Sequence, residues 1–140
     1  MLEVSPDHYP DWGFRSKGVA RARPTVSVMA LVRWITEMGM GVDVHGRDYT
    51  NAAKRAVSDA LRHSSLSFFE SAGKSHHDMN IEVVIAVAEP GAVDVNAIAA
   101  EVPYGTVQVN VVAGGLDVPA PKGDDALVIA NAAILVSFEE

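Results

Sequence analysis

Apolar and polar residues along this chain fall into short runs whose spacing changes from two to between three and four and back again. From about Val26 to Met38 the run VSVMALVRWITEM is rich in β-branched and aromatic residues and reads as a first strand. Its alternation would set Val32, Trp34, Thr36 and Met38 on one face and Arg33 and Glu37 on the other, with the following glycines ending it. A helix then starts near Thr50, capped by Asp48 or Thr50. Ala53, Ala56, Val57, Ala60 and Leu61 recur at three- and four-residue spacing, a mostly alanine stripe that lets a helix lie close to a sheet.

The second strand is the alternating run around Ile81, Val83, Ile85 and Val87, stopped by Pro90-Gly91. A short helix follows, capped by Asp94, carrying Val95, Ile98 and Ala99 and closed by Pro103. The third strand runs from Thr106 to Ala113. After a loop marked by Gly114-Gly115, Pro119, Pro121 and Gly123, the fourth runs from Ala126 to Phe138, apolar on both faces and therefore central or covered twice. The order β-α-β-α-β-β predicts an α+β fold: a small mixed sheet with two helices on one face. Residues 1–25, with three prolines and no period, read as an irregular N-terminal arm ahead of a single domain over 26–140. Four strands and two short helices leave one sheet face uncovered, which predicts a homo-oligomer.

Composition changes this picture only by exclusion. At 140 residues the chain is one domain with room for a core. A net charge of −7 argues against nucleic acid and anionic membranes as partners, although Arg15, Lys17, Arg21 and Arg23 make the arm locally basic. The chain has no cysteine, so disulfides, thiolate catalysis and cysteine-held metals are excluded. Neither a secretory leader nor a run of about 20 apolar residues is present, and the cytoplasm is the expected compartment.

Candidate chemistry concentrates in Gly39-Met40-Gly41-Val42-Asp43-Val44-His45-Gly46-Arg47-Asp48. An imidazole beside a carboxylate is an orienter–base arrangement, so His45 is the expected general base and Asp43 or Asp48 its orienting acid. Backbone N–H groups around Gly39, Gly41 and Gly46 would hold an anion or oxyanion, and Lys54 would pair with a substrate carboxylate. The competing reading has Asp43 and Asp48 merely capping the turn. A dinucleotide fingerprint is excluded because its third glycine would stand at Val44. Lys74-Ser75-His76-His77-Asp78 is a second polar cluster, and Tyr104-Gly105 and Gly114-Gly115 are expected at a pocket rim.

Asp43-Val44-His45-Gly46 locally resembles the first metal motif of calcineurin-like phosphoesterases, whose further motifs are absent. A divalent metal on Asp43, His45 and Asp48 with His76 or His77 is therefore an alternative to a cofactor-free site. The wider pattern resembles a small family of uncharacterised bacterial and plant proteins with a Gly-x-Gly-x-Asp-x-His-Gly signature, here Gly39, Gly41, Asp43, His45 and Gly46. Ala52-Ala53-Lys54-Arg55-Ala56-Val57, Pro103-Tyr104-Gly105, Val111-Val112-Ala113-Gly114-Gly115-Leu116 and Asn131-Ala132-Ala133 extend the resemblance over roughly residues 30–138. The element order is also similar to chorismate-mutase-like, ferredoxin-like and ring-opening-amidohydrolase units, which implies trimer-based assembly and sites between subunits. The expectation is thus a small-molecule hydrolase that opens a polar, cyclic amide-like substrate. Its alternatives are a metal-dependent hydrolase using Asp43 and His45, and a non-catalytic ligand-binding or assembly module.

Overall fold

The computed structural model describes residues 29–64, 69 and 71–140; the expected arm and the start of the first strand lie outside them. Its elements are β1 (Leu31–Asp43), α1 (Tyr49–Arg62), β2 (Asn80–Val87), α2 (Val95–Ala99), β3 (Thr106–Ala113), β4 (Leu116–Pro119) and β5 (Ala126–Glu139). They form a mixed five-stranded sheet in the order β1-β5-β2-β3, with β4 paired to the first residues of β5. β5 runs antiparallel to β1, β2 and β4, and β2 and β3 are parallel. The expected α+β class holds, with one strand more than the sequence pattern predicts. The expectation of a central last strand also holds, for β5 is paired along both sides.

The core lies between the sheet and α1. Ile81, Val83, Ile85 and Val87 point inward from β2, and Val128, Ala130, Ala132, Ile134, Val136 and Phe138 from β5. Tyr49, Ala52, Ala53, Ala56, Val57 and Ala60 answer from the helix. Burying this much branched aliphatic surface supplies most of the folding free energy, at about 25 cal/mol per Å².

β1 departs from expectation in two ways. It does not stop at the glycines but continues through them to Asp43. A bulge between Arg33 and Ile35 leaves Trp34 as an extra residue. Trp34 therefore packs edge-on against Phe138 on the helix side, its ring centre 5.5 Å away, while Ile35, Glu37, Gly39, Gly41 and Asp43 alternate toward α1.

The two glycines explain why the helix sits where it does. A Cβ built on Gly41 would lie well under 3.0 Å from the Ala52 carbonyl and the Ala56 nitrogen, and one on Gly39 would meet the Ala56 carbonyl and the Ala60 nitrogen. Glycine on the strand and alanine on the helix thus bring the two backbones into direct contact. Side chains of α1 also occupy the outer edge of β1: the Met40 N–H donates to Asp59 at 3.0 Å, and Arg55 donates to the Val42 carbonyl. Those groups would otherwise be open to another strand.

Candidate functional site

The β1–α1 connection is tied from beneath by Asp43. This carboxylate is only 6% exposed. Its Oδ1 accepts from Asn51 Nδ2 at 2.7 Å and its Oδ2 from the Asp48 N–H at 3.1 Å, with Arg55 Nη1 3.7 Å away. Asp48 caps α1 by accepting from the Asn51 N–H at 2.9 Å. Both carboxylates are thereby committed to holding the turn.

His45 stands outside that network, its side chain 87% exposed. Its Nδ1 lies 3.4 Å from Asp125 Oδ2, and Asp125 Oδ1 accepts from the Gly46 N–H at 3.0 Å. The acid facing the imidazole is therefore Asp125, from the β4–β5 connection, rather than Asp43 or Asp48. Backbone N–H groups of Gly46 and Ala126 hold the Asp125 carboxyl below the ordinary aspartate range, with a smaller contribution from His45.

Next to this pair the chain takes a left-handed step at two successive residues, Gly46 (φ 91°) and Arg47 (φ 54°). The step carries the Arg47 guanidinium 3.3 Å from Glu89, 3.5 Å from the Tyr49 hydroxyl and 3.6 Å from Asp117. Tyr49, buried under the loop, donates to Asp117 Oδ2. Burial and that bond raise the Tyr49 pKa, and the contact with Tyr49 raises that of Arg47. Asp117 Oδ1 is buried with no hydrogen-bond partner among the described residues. Arg47, Tyr49, Glu89, Asp117 and Asp125 are absent from the sequence-based candidates. They come from four separate segments, and no spacing rule joins them.

The remaining candidates scatter. Gly39 and Gly41 are covered by α1, so the expectation that they hold an oxyanion gives way to a packing role; Gly46 is the one glycine of that trio with open space beside it. Lys54 pairs with Glu101 at 3.3 Å, away from the His45 corner. Gly114 and Gly115 are at the same end as His45, where a Cβ on Gly115 (φ 64°) would strike the Ile129 carbonyl; they make a tight turn into β4. Tyr104 and Gly105 lie at the opposite end, beside Met79.

His76 and His77 also lie at that far end, edge-on to Tyr104 at centroid distances of 4.4 and 6.4 Å. Asp43 is in register with Val128 of β5 and Asn80 with Ser137, nine residues further on, which is about 30 Å of strand. A metal site joining Asp43, His45 and Asp48 to His76 or His77 within one chain is thereby ruled out by distance. Among the described residues no group of three or more His, Asp or Glu side chains is arranged to hold a metal ion. The far end carries an apolar pocket of about 150 Å³ lined by Ile35, Glu37, Leu61, Val102, Tyr104 and Ile134.

No helix among the described residues is long and apolar enough to cross a membrane. With fold and geometry in place, comparison with known proteins identifies the chain as a member of a family of conserved hypothetical proteins. That family is Lin0512_fam, matched over residues 33–136. A solved structure from Nostoc punctiforme, described as an FtsZ-like protein of unknown function, is 40% identical and covers 81% of this chain and 100% of its own, with a TM-score of 0.72. No curated protein matches the chain significantly.

Proposed function

We propose that the loop end of the sheet is the site of a small-molecule hydrolase that opens a polar, cyclic amide-like ring. The observation that favours it is the left-handed step at Gly46 and Arg47. A non-glycine residue held in that conformation costs of order 1 kcal/mol, and here it carries the guanidinium of Arg47, two residues on from His45, to Glu89, Tyr49 and Asp117.

In this reading Asp125 holds the Nδ1–H of His45 and leaves Nε2 free to act as base. Nε2 takes a proton from water as the water oxygen bonds to the amide carbon, and Asp125 stabilises the imidazolium that results. The Arg47 guanidinium faces the oxygen on which negative charge grows. Collapse of the tetrahedral species breaks the C–N bond, and the imidazolium returns its proton to the departing nitrogen. The products are an open-chain carboxylate and an amine or amide.

Ring opening of five- and six-membered cyclic amides and imides, followed by loss of ultraviolet absorbance, tests the reading. His45→Ala is expected to slow turnover by about 10²–10⁴-fold, with Asp125→Asn losing less and both variants melting like the parent. A parent chain that turns over none of the panel, or His45→Ala at the parent rate, rules the assignment out.

A second reading, a non-catalytic assembly module, is favoured by the exposure of His45 and by the packing role of Gly39 and Gly41. It predicts that His45→Ala changes nothing measurable in binding or turnover.

A further inference from the structure

The face of the sheet opposite α1 carries no covering element among the described residues, and its side chains follow from the register in rows across the strands. One row is Thr36, Leu135, Glu82 and Gln108; the next is Met38, Ala133, Val84 and Asn110; the next is Met40, Asn131, Ala86 and Val112. Leu116 and Val118 continue it on β4, beside Ile129 and Leu127. Met38 is 69% exposed and Met40 54%. They stand as a ridge along β1 beside a trough of about 180 Å³ floored by Val84, Ala86 and Ala133. At one end of the same face Arg33 and Glu82 line a broad hollow with Asn110 and Leu135. Arg33 has no ion-pair partner among the described residues, whereas Glu82 accepts from Asn110 at 2.7 Å.

We infer that this face is the interface of a two-fold homodimer whose axis runs parallel to β5. A rotation about that axis exchanges the positions of β1 and β2 and preserves height along the strands. The Met38–Met40 ridge of one copy then enters the Val84–Ala86 trough of the other, at the same row. Arg33 of each copy, level with Ser137 and Asn80, comes over Asn80 of the other copy, one row (about 7 Å) from Glu82 and within reach of its carboxylate, and Asn131, on the axis, meets its own copy with an amide that both donates and accepts. A surface that carries ridge and trough at matching heights on either side of one line, with cation and anion one row apart, is complementary to itself, as an isologous interface requires. Sheets packed face to face tolerate the crossing angle of about 30° that their twist imposes. This inference stands independently of any activity at the loop end.

Sedimentation analysis of the full chain across micromolar to millimolar concentrations tests it. The parent is expected to be a dimer, and Met40→Glu a folded monomer. Arg33→Glu and Glu82→Arg are each expected to weaken self-association at least tenfold, because each brings like charges within reach of one another across the interface. Mixing these two variants is expected to restore a dimer containing one copy of each, which pairing inside a single chain would not produce. A monomeric parent overturns the inference, as does a dimer or trimer indifferent to Met40→Glu, or a mixture that shows no preference for the mixed pair.

Discussion

Five residues of one strand, Met38 to Val42, show the two faces of this sheet put to opposite uses. Gly39 and Gly41 present nothing but backbone, and a helix backbone rests directly on them. Met38 and Met40, their neighbours, present long side chains to the other side. The covered face is specified by absence of volume, where one added methyl has no place to go. The open face is specified by projecting side chains that none of the described residues covers. Sensitivity to substitution should therefore differ sharply between adjacent positions, and this contrast can be broken by experiment.

The largest effect is expected from Gly41→Ala, whose methyl would meet helix backbone. α1 must retreat, at about 3 kcal/mol, near the upper part of the range for overpacked cores; urea denaturation measures this, and a loss below 1 kcal/mol would mean the helix is not seated on the strand. Asp43→Ala comes next. It strips partners from Asn51 and the Asp48 N–H and is expected to lose about 2 kcal/mol in the same experiment. A smaller effect is expected at the rim, where Asp125 holds the loop. Its pKa is lowered in the folded chain, so its contribution is complete above the ordinary aspartate pKa of 3.8 and fades as pH falls through the lower folded value. Parent and Asp125→Asn should thus differ in melting temperature at neutral pH and converge below pH 3.8. The smallest effect is expected from Met40→Ser, within about 0.5 kcal/mol for the dissociated chain. A loss as large as that of Gly41→Ala would erase the distinction between the faces.

Much of the fold is legible in local pattern. β2 and β3 have the ends that their alternation and flanking Pro and Gly residues predict, and Asp48 and Asp94 cap the helices as expected. β4 is not legible, because four residues between glycines and prolines carry too little periodicity and owe their conformation to pairing with β5. The glycines misled for a related reason. Residues rich in conformational freedom suggest a turn or a ligand, yet two glycines two apart lie on one strand face, and Ala52, Ala56 and Ala60 at four-residue spacing are the matching helix stripe. Both signals are in the sequence, and only their conjunction reveals a packing seam. The site was half legible. His45 is where a reactive residue was expected, at the mouth of a loop, but its acid is Asp125, eighty positions along the chain. Asp43 is near in sequence and, two residues away, would share a face with His45 in a continuing strand, but β1 ends at Asp43 and the chain bends, so the two side chains part: one beneath the loop, the other to solvent.

The strand that comes last among the described elements lies between β1 and β2 and also holds β4. Until Ala126–Glu139 leaves the ribosome, every earlier strand except the β2–β3 pair lacks its neighbour, and the alanine stripe of α1 has half a floor. Completing this sheet is an insertion, with ladder formation on both sides of one segment. Before that segment emerges there is therefore an interval in which two long edges stand open, when a nascent chain most needs shielding from its own kind.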